Sequence, residues 1–359
     1  MILDLAPTKE NPRNSEGAFL TLRDGHIVFV WSRYCGKDAG DGAYAELAAI
    51  FSRDGGETFD EARVILRPTD DALDGTNCMS VSLLRLENGD IGMFYLLKHG
   101  MRRCEVMFRR MNEKMEPLGM PISVTPNDPG FYVLNNDRVI RMLSGRLLMI
   151  VAYHPLAADA TSLEYRAVAY AYASDDDGRS WHRQSHLLTL PAGMGITKTG
   201  LQEPGLVELM PGVVLAYFRT DMGRQYTCLS VDGGHNWTPP EPSRFISPVS
   251  PMLIKQNPED GVFWAIRNPI PEHDGMKKTK IWTGGRTPLI LERGVFGGDG
   301  IVWSAPIVLE DDPEGGFCYP ALHFLGYGQA LLAYCAGSAV IGDSVCLART
   351  RIRKMNLPK

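Results

Sequence analysis

The chain has 359 residues, of which 44% are hydrophobic and 22% charged, with a formal net charge of −5. That is enough length and apolar content to bury a large core, and no apolar run approaches the ~18 residues of a membrane-spanning helix. The acidic balance excludes non-specific nucleic-acid binding, so an anionic ligand would need a local arginine cluster.

One phrase recurs six times along the sequence: an alternating apolar strand, a short turn containing glycine, and a second apolar strand. The copies are 19–31, 83–96, 139–153, 205–219, 253–266 and 322–335, with turn glycines Gly25, Gly89, Gly145, Gly212, Gly261 and Gly328. Each reads as a β-hairpin. The spacing between successive turn glycines leaves room for a second hairpin in every unit, so six four-stranded antiparallel sheets are expected.

The second hairpin carries its own mark in units one, three and four: Ser52 to Phe59, Ser174 to Trp181 and Ser230 to Trp237 all follow S-x-D-x-G-x-[ST/N]-[WF], the pattern called the Asp box. Aspartate and the hydroxyl or amide residue can bond backbone groups inside a turn, glycine supplies positive φ, and the aromatic covers the turn. Degenerate copies are expected around 110–115 and 292–303. Helical periodicity is weak throughout. The expected architecture is therefore all-β, a six-bladed β-propeller of four-stranded antiparallel sheets, and with no linker-like stretch it occupies 1–359 as a single domain.

In such a hairpin the start of the first strand and the end of the second lie together, opposite the turn. Those positions are rich in polar groups. Unit one offers Arg13, Glu16, Arg33, Asp38 and Asp41; unit two Asn77, Lys98 and His99; unit three Asn135, Asn136, Asp137, Arg138 and His154. Unit four offers Gln202, Glu203, Arg219 and Arg224, unit five Lys255, Asn268 and Arg286, and unit six Tyr319. One face should be an arginine-rich bowl able to hold a ligand, with the Asp boxes on the other face. Arg219 ends the apolar run VVLAYF, so its guanidinium should be partly buried and in need of a partner or an anionic ligand.

The seven cysteines (Cys35, Cys78, Cys104, Cys228, Cys318, Cys335, Cys346) are odd in number and never form a CxxC pair, which fits reduced core thiols. No His/Cys pattern calls for a metal, and no cofactor is expected. The beginning, Met1-Ile2-Leu3-Asp4, lacks a basic segment and an apolar segment, so the expectation is a cytoplasmic protein if the chain is complete, and a secreted or periplasmic one if it has been trimmed.

With its repeat and its Asp boxes the chain resembles the sialidase (neuraminidase) superfamily, in particular bacterial exo-sialidase-like proteins, most closely from Gln202 to Tyr334. The resemblance implies a retaining exo-glycosidase that hydrolyses a terminal sialic acid or a related acidic 2-keto acid sugar. It implies Tyr319 as nucleophile, Glu203 as the group that activates it, and Asp41 as acid/base with Asp38 as rival. Arg219 and Arg286 resemble two of three carboxylate-gripping arginines, and Arg33 a further arginine at the substrate rim. The family opens with an [FY]-R-I-P phrase carrying the first arginine; here Arg13 lies a residue or two from that position and Glu16 stands where the family is apolar, so the resemblance implies either Arg13 or, from unit three, Arg138 as the first arginine. Other carbohydrate-active propellers, a hydrolase for a uronic or other keto-acid sugar or a lyase using Tyr319 as base, and a non-catalytic glycan- or protein-binding propeller remain as alternatives. The expected partner is an acidic sugar or glycan, with no nucleic acid and no membrane.

Overall fold

A computed structural model describes residues 2–126, 128–157, 162–190, 197–269, 285–298 and 300–358. The described residues contain two short 3-10 turns and otherwise strands. Backbone pairing falls into successive antiparallel groups. Group one is Arg13–Thr21, Ile27–Tyr34, Ala45–Ser52 and Arg63–Leu66. Group two is Asn77–Arg85, Ile91–Lys98, Cys104–Met111 and Ile122–Ser123.

In group three, Leu147–Pro155 pairs with two short pieces, Gly130–Val133 and Ile140–Arg141, and is followed by Val168–Ser174 and His182–Leu188. Group four runs Gln202–Met210, Val213–Arg219, Arg224–Ser230, Glu241–Ile246. Group five contains Leu253–Gln256, Phe263–Arg267, Leu289–Gly297, Gly300–Trp303 and Ile307–Glu310. Group six contains Gly315–Gly326, Gln329–Ser338 and Thr350–Asn356, and the N-terminal Ile2–Leu5 adds to its edge, so both ends of the chain share one sheet. Single parallel pairs, Ala45 with Asn77 and Cys104 with Phe131, join groups one to three.

Each group is apolar on both faces, and the core is divided into layers between groups. Val30 and Leu47 of group one meet Val81 and Met93 of group two, and Ile150 and Ala171 of group three meet Ala216 and Phe218 of group four. Trp264 and Leu289 of group five meet Leu332 and Tyr334 of group six. Phe29 and Trp31 of group one meet Leu331 and Ala333 of group six. All six turn glycines have positive φ, from 70° to 91°.

The three S-x-D-x-G turns share one geometry. Ser52 donates to Asp54 Oδ1 at 2.8 Å and accepts from Gly56 N at 2.8 Å, while Thr58 N donates to Asp54 Oδ1 at 2.9 Å; the bonds recur at 174–180 and 230–236. At 112–116 Asn112 plays the aspartate's part, accepting from Lys114 N and Glu116 N. The segment 292–303 includes residue 299, which lies outside the described residues. Gly234 has φ of 89°, and a Cβ there would lie 2.8 Å from Leu148 of the preceding group, so the glycine is required twice over. Gly233 N donates to the carbonyl of the turn residue Gly212 at 2.9 Å. Ser52 pairs with Ile27 beside the Gly25 turn. These turns therefore sit at the hairpin-turn end, and Arg219, which pairs with Gln202, sits at the other.

Candidate active site

A feature shared by four groups builds the site. In the first strand of groups one, two, four and six the register slips, between Ser15 and Ala18, Met79 and Ser82, Gln202 and Gly205, and Cys318 and Ala321. In each slip one residue has positive φ: Glu16 (57°), Ser80 (57°), Glu203 (44°) and Tyr319 (54°). Left-handed backbone at a non-glycine residue costs on the order of 1–3 kcal/mol and persists where surrounding structure enforces it. Small residues follow each slip, Ala18, Ser82, Gly205 and Ala321, and a Cβ on Gly205 would lie 2.2 Å from Tyr217 Cζ. The bulges turn four side chains out of the strand alternation and into one cleft of about 380 Å³.

Tyr319 donates its hydroxyl to Glu203 Oε1 at 2.7 Å, and Arg219 contacts Glu203 Oε2 at 2.7 Å. A second arm of Arg219 donates to Gln202 Oε1. Arg286, buried beside this set, holds its guanidinium 5.3 Å from the Tyr319 ring centre and donates to Cys318 Sγ at 3.3 Å. Burial pushes the Tyr319 phenol well above its ordinary value and the Glu203 charge adds to that, while Arg286 and Arg219 pull it down. Tyr319 is thus a neutral phenol at rest whose proton already points at a carboxylate, an arrangement able to deliver a phenolate as the proton leaves.

The opposite wall is built around Arg13. Its Nε donates to Ser15 Oγ at 3.0 Å, NH1 to Ala39 O at 3.2 Å and Asp41 Oδ1 at 2.6 Å, and NH2 to Glu16 Oε1 at 3.1 Å. The guanidinium stacks 4.2 Å from the Tyr34 ring centre, and its side chain is 2% exposed. Ser80 donates to Glu16 Oε2, and Lys98 Nζ donates to the Asp41 carbonyl at 2.6 Å. Met79, Leu96, Met101, Phe131, Val133 and Leu163 give the cleft an apolar side. Among the described residues no group of three or more His, Cys, Asp or Glu is arranged to hold a metal ion.

The expected residues divide accordingly. Tyr319, Glu203, Arg219, Glu16 and Asp41 line one cleft; Arg286 adjoins it behind Tyr319. Arg13 reaches the site only through Asp41 and Glu16, and its N–H groups are engaged by protein rather than turned to the cleft. Asp38 caps its own turn by accepting from Gly40 N at 2.8 Å. Arg33 faces Glu46 at 3.5 Å. Arg138 donates to the Met252 carbonyl at 2.6 Å, against the Tyr217 ring. None of the last three lines the cleft: Arg33 lies on the regular strand Ile27–Tyr34, while Asp38 and Arg138 lie in connecting segments and are turned to the partners just named. Ser80 was not anticipated, although the small residue two positions after it matches the pattern after Glu16, Glu203 and Tyr319. The apolar side carried no sequence signal; His154, expected on this face from its place at a strand end, lines the cleft, and burial keeps its imidazole below its ordinary pKa.

Strand groups that converge on an acid–tyrosine–arginine cleft define a class, and sequence comparison gives its family. The BNR repeat-like domain family matches residues 133–330. The chain belongs to this family, within the sialidase superfamily. It is 29% identical over 168 residues to the anhydrosialidase of Macrobdella decora, a match covering 45% of this chain and only 20% of that protein. The Hadza microbial sialidase Hz136 superposes with a TM-score of 0.71 at 16% identity, over 97% of this chain and 66% of that one. A protein of unknown function from Dyadobacter fermentans superposes with a TM-score of 0.72 at 16% identity, over 99% of both chains.

Proposed function

We propose that the chain is a retaining exo-glycosidase of sialidase type that hydrolyses a terminal sialic acid or related 2-keto acid sugar, with Tyr319 as nucleophile and Glu203 as its base. The observation that carries this reading is the contact of the Tyr319 hydroxyl with Glu203, itself held by Arg219, at one end of the cleft. A 2-keto acid sugar bears a carboxylate on the carbon to be attacked. An aspartate or glutamate nucleophile would be repelled there, and a neutral phenol is not. Arg219 and Arg286 flank the same tyrosine and suit a planar anion. The fold reading that accompanies this is a closed six-bladed propeller spanning 1–359, supported by apolar layers between successive groups, including groups six and one.

The engagement of Arg13 by Asp41 and Glu16 favours a second reading, a hydrolase for another acidic sugar whose carboxylate is gripped by fewer arginines. A panel of 4-methylumbelliferyl glycosides of sialic, deaminated sialic, octulosonic and uronic acids separates the two. Release from a 2-keto acid glycoside, with the retained anomer appearing first by NMR, is expected; release from the uronic acid glycoside alone favours the second reading. A folded protein that releases none of them overturns both.

A further inference from the structure

Two carboxyls, Glu16 and Asp41, share one guanidinium. Arg13 contacts Glu16 at 3.1 Å and Asp41 at 2.6 Å, and one positive charge cannot neutralise two negative ones. The surroundings are unequal. The Glu16 side chain is 3% exposed and that of Asp41 is 69% exposed, and Lys98 is bonded to the backbone of Asp41. Ionisation is cheaper at Asp41, and the proton belongs on Glu16.

We propose that Glu16, rather than Asp41, is the proton donor to the departing oxygen and the base of the second step, with Arg13 and Ser80 as positioning residues. The proposal rests on the glycosidase reading above. Glu16 lines the cleft with Tyr319 and leaves its strand at the same kind of bulge. In the first step the Tyr319 oxygen, giving its proton to Glu203, bonds to the anomeric carbon. The bond from that carbon to the leaving oxygen breaks, its electron pair stays on the oxygen, and Glu16 supplies the proton that makes it an alcohol. In the second step Glu16, now a carboxylate, takes a proton from water as the water oxygen bonds to the anomeric carbon. The tyrosine–carbon bond breaks, and Tyr319 recovers its proton from Glu203. The sum is glycoside plus water giving sugar plus alcohol.

The ionisation directions agree. Burial pushes the Glu16 carboxyl up, against the pull of Arg13, Ser80 and Lys98, and the Asp41 charge pushes it further. Burial also acts upward on Asp41, but Arg13, Lys98 and Arg286 outweigh it and hold that carboxyl below its ordinary value. The charged and titratable groups facing Glu16 are Arg13 on its own strand, Tyr34 on the neighbouring strand, Asp41 from the loop, Lys98 from group two and Tyr319 from group six.

The test compares two glycosides of the same turned-over sugar, one with the acidic 4-methylumbelliferyl leaving group and one with an alkyl alcohol such as lactose, which must be protonated as it leaves. Glu16→Gln should lower kcat/KM on the alkyl glycoside by about 100-fold or more and on the aryl glycoside by less than about 10-fold, the range expected for loss of a general acid. Asp41→Asn should lower both by the same factor. In the unsubstituted protein the aryl-to-alkyl rate ratio should climb as pH rises through the Glu16 titration, a readout that needs no variant. A leaving-group-selective loss in Asp41→Asn, equal losses in Glu16→Gln, or a ratio that does not change with pH overturns the proposal while leaving the glycosidase intact. A protein that hydrolyses no glycoside removes the reading beneath it and the proposal together.

Discussion

Tyr319 and Glu203 come from strands 116 positions apart and meet at 2.7 Å, each leaving its strand at a residue of positive φ. Neither side chain would reach the other from regular β alternation, so the backbone conformation and the hydrogen bond depend on one another. Tyr319→Phe removes one oxygen and leaves the ring against Arg286. It should reduce turnover by about 1,000-fold or more without changing the melting temperature, as loss of an activated nucleophile does. Steady-state kinetics beside thermal denaturation checks this; wild-type turnover in the variant contradicts it.

Arg219 is tied to both Glu203 and Gln202, so its planar fork orients the base as well as facing the cleft. Arg219→Lys keeps the charge and loses the fork. The expected loss in kcat/KM is about 10- to 100-fold, corresponding to one charge-assisted hydrogen bond of roughly 1.5–3 kcal/mol. Competition by a free 2-keto acid sugar should weaken in parallel, and unchanged inhibition would separate Arg219 from anion binding.

The bulge beneath Glu203 needs a residue without a side chain. A Cβ at Gly205 would lie 2.2 Å from Tyr217 Cζ, and the Tyr217 hydroxyl accepts from Ile254 N at 3.0 Å. Gly205→Ala should destabilise the fold by about 1–3 kcal/mol, the usual range for overpacking. Gly298, where an added Cβ would meet nothing within 4 Å, is the control and should tolerate alanine. Urea denaturation of the two variants measures the contrast.

The S-x-D-x-G turns give a pH signature at the opposite end of the hairpins. Slight burial pushes Asp176 and Asp232 up, but the N–H and O–H groups they accept from outweigh it and hold both carboxyls at about 2, against an ordinary 3.8. A depressed folded-state value means the stabilisation is full above the unfolded value and is lost as pH falls from there toward 2. Melting temperature should therefore drop over that interval, and Asp232→Asn should start lower and drop less. An unaltered acid limb in the variant would remove the turn from the account.

All six hairpins were legible because glycine at a tight turn and alternating apolar residues are local signals; Gly25, Gly89, Gly145, Gly212, Gly261 and Gly328 each occupy the left-handed region. Tyr319, Glu203, Arg219 and Asp41 were legible from their place at strand ends together with the family resemblance. Arg13 was legible as a position but not as a caged cation, since the carbonyl of Ala39 and the carboxylate of Asp41 come from a loop with no periodicity. Arg33 and Arg138 were expected at the cleft from their place at strand ends and the family resemblance; Arg33 on its regular strand faces Glu46 instead, and Arg138, between the short strands of group three, is held by the Met252 carbonyl. Glu16 and Ser80 escape parity in the other direction, through bulges that alternation does not encode.

The central claim, a covalent bond to Tyr319, is tested most directly by trapping. The protein is incubated with 2,3-difluorosialic acid, whose C-2 fluoride leaves readily in the first step while the C-3 fluorine slows the second, and is then digested and mapped by mass spectrometry. One glycosyl adduct is expected, on the peptide containing Tyr319 and absent when Tyr319→Phe is treated in the same way. An adduct on Glu203, Glu16 or Asp41, or hydrolysis of an acidic-sugar glycoside with inversion at the anomeric carbon, would contradict it.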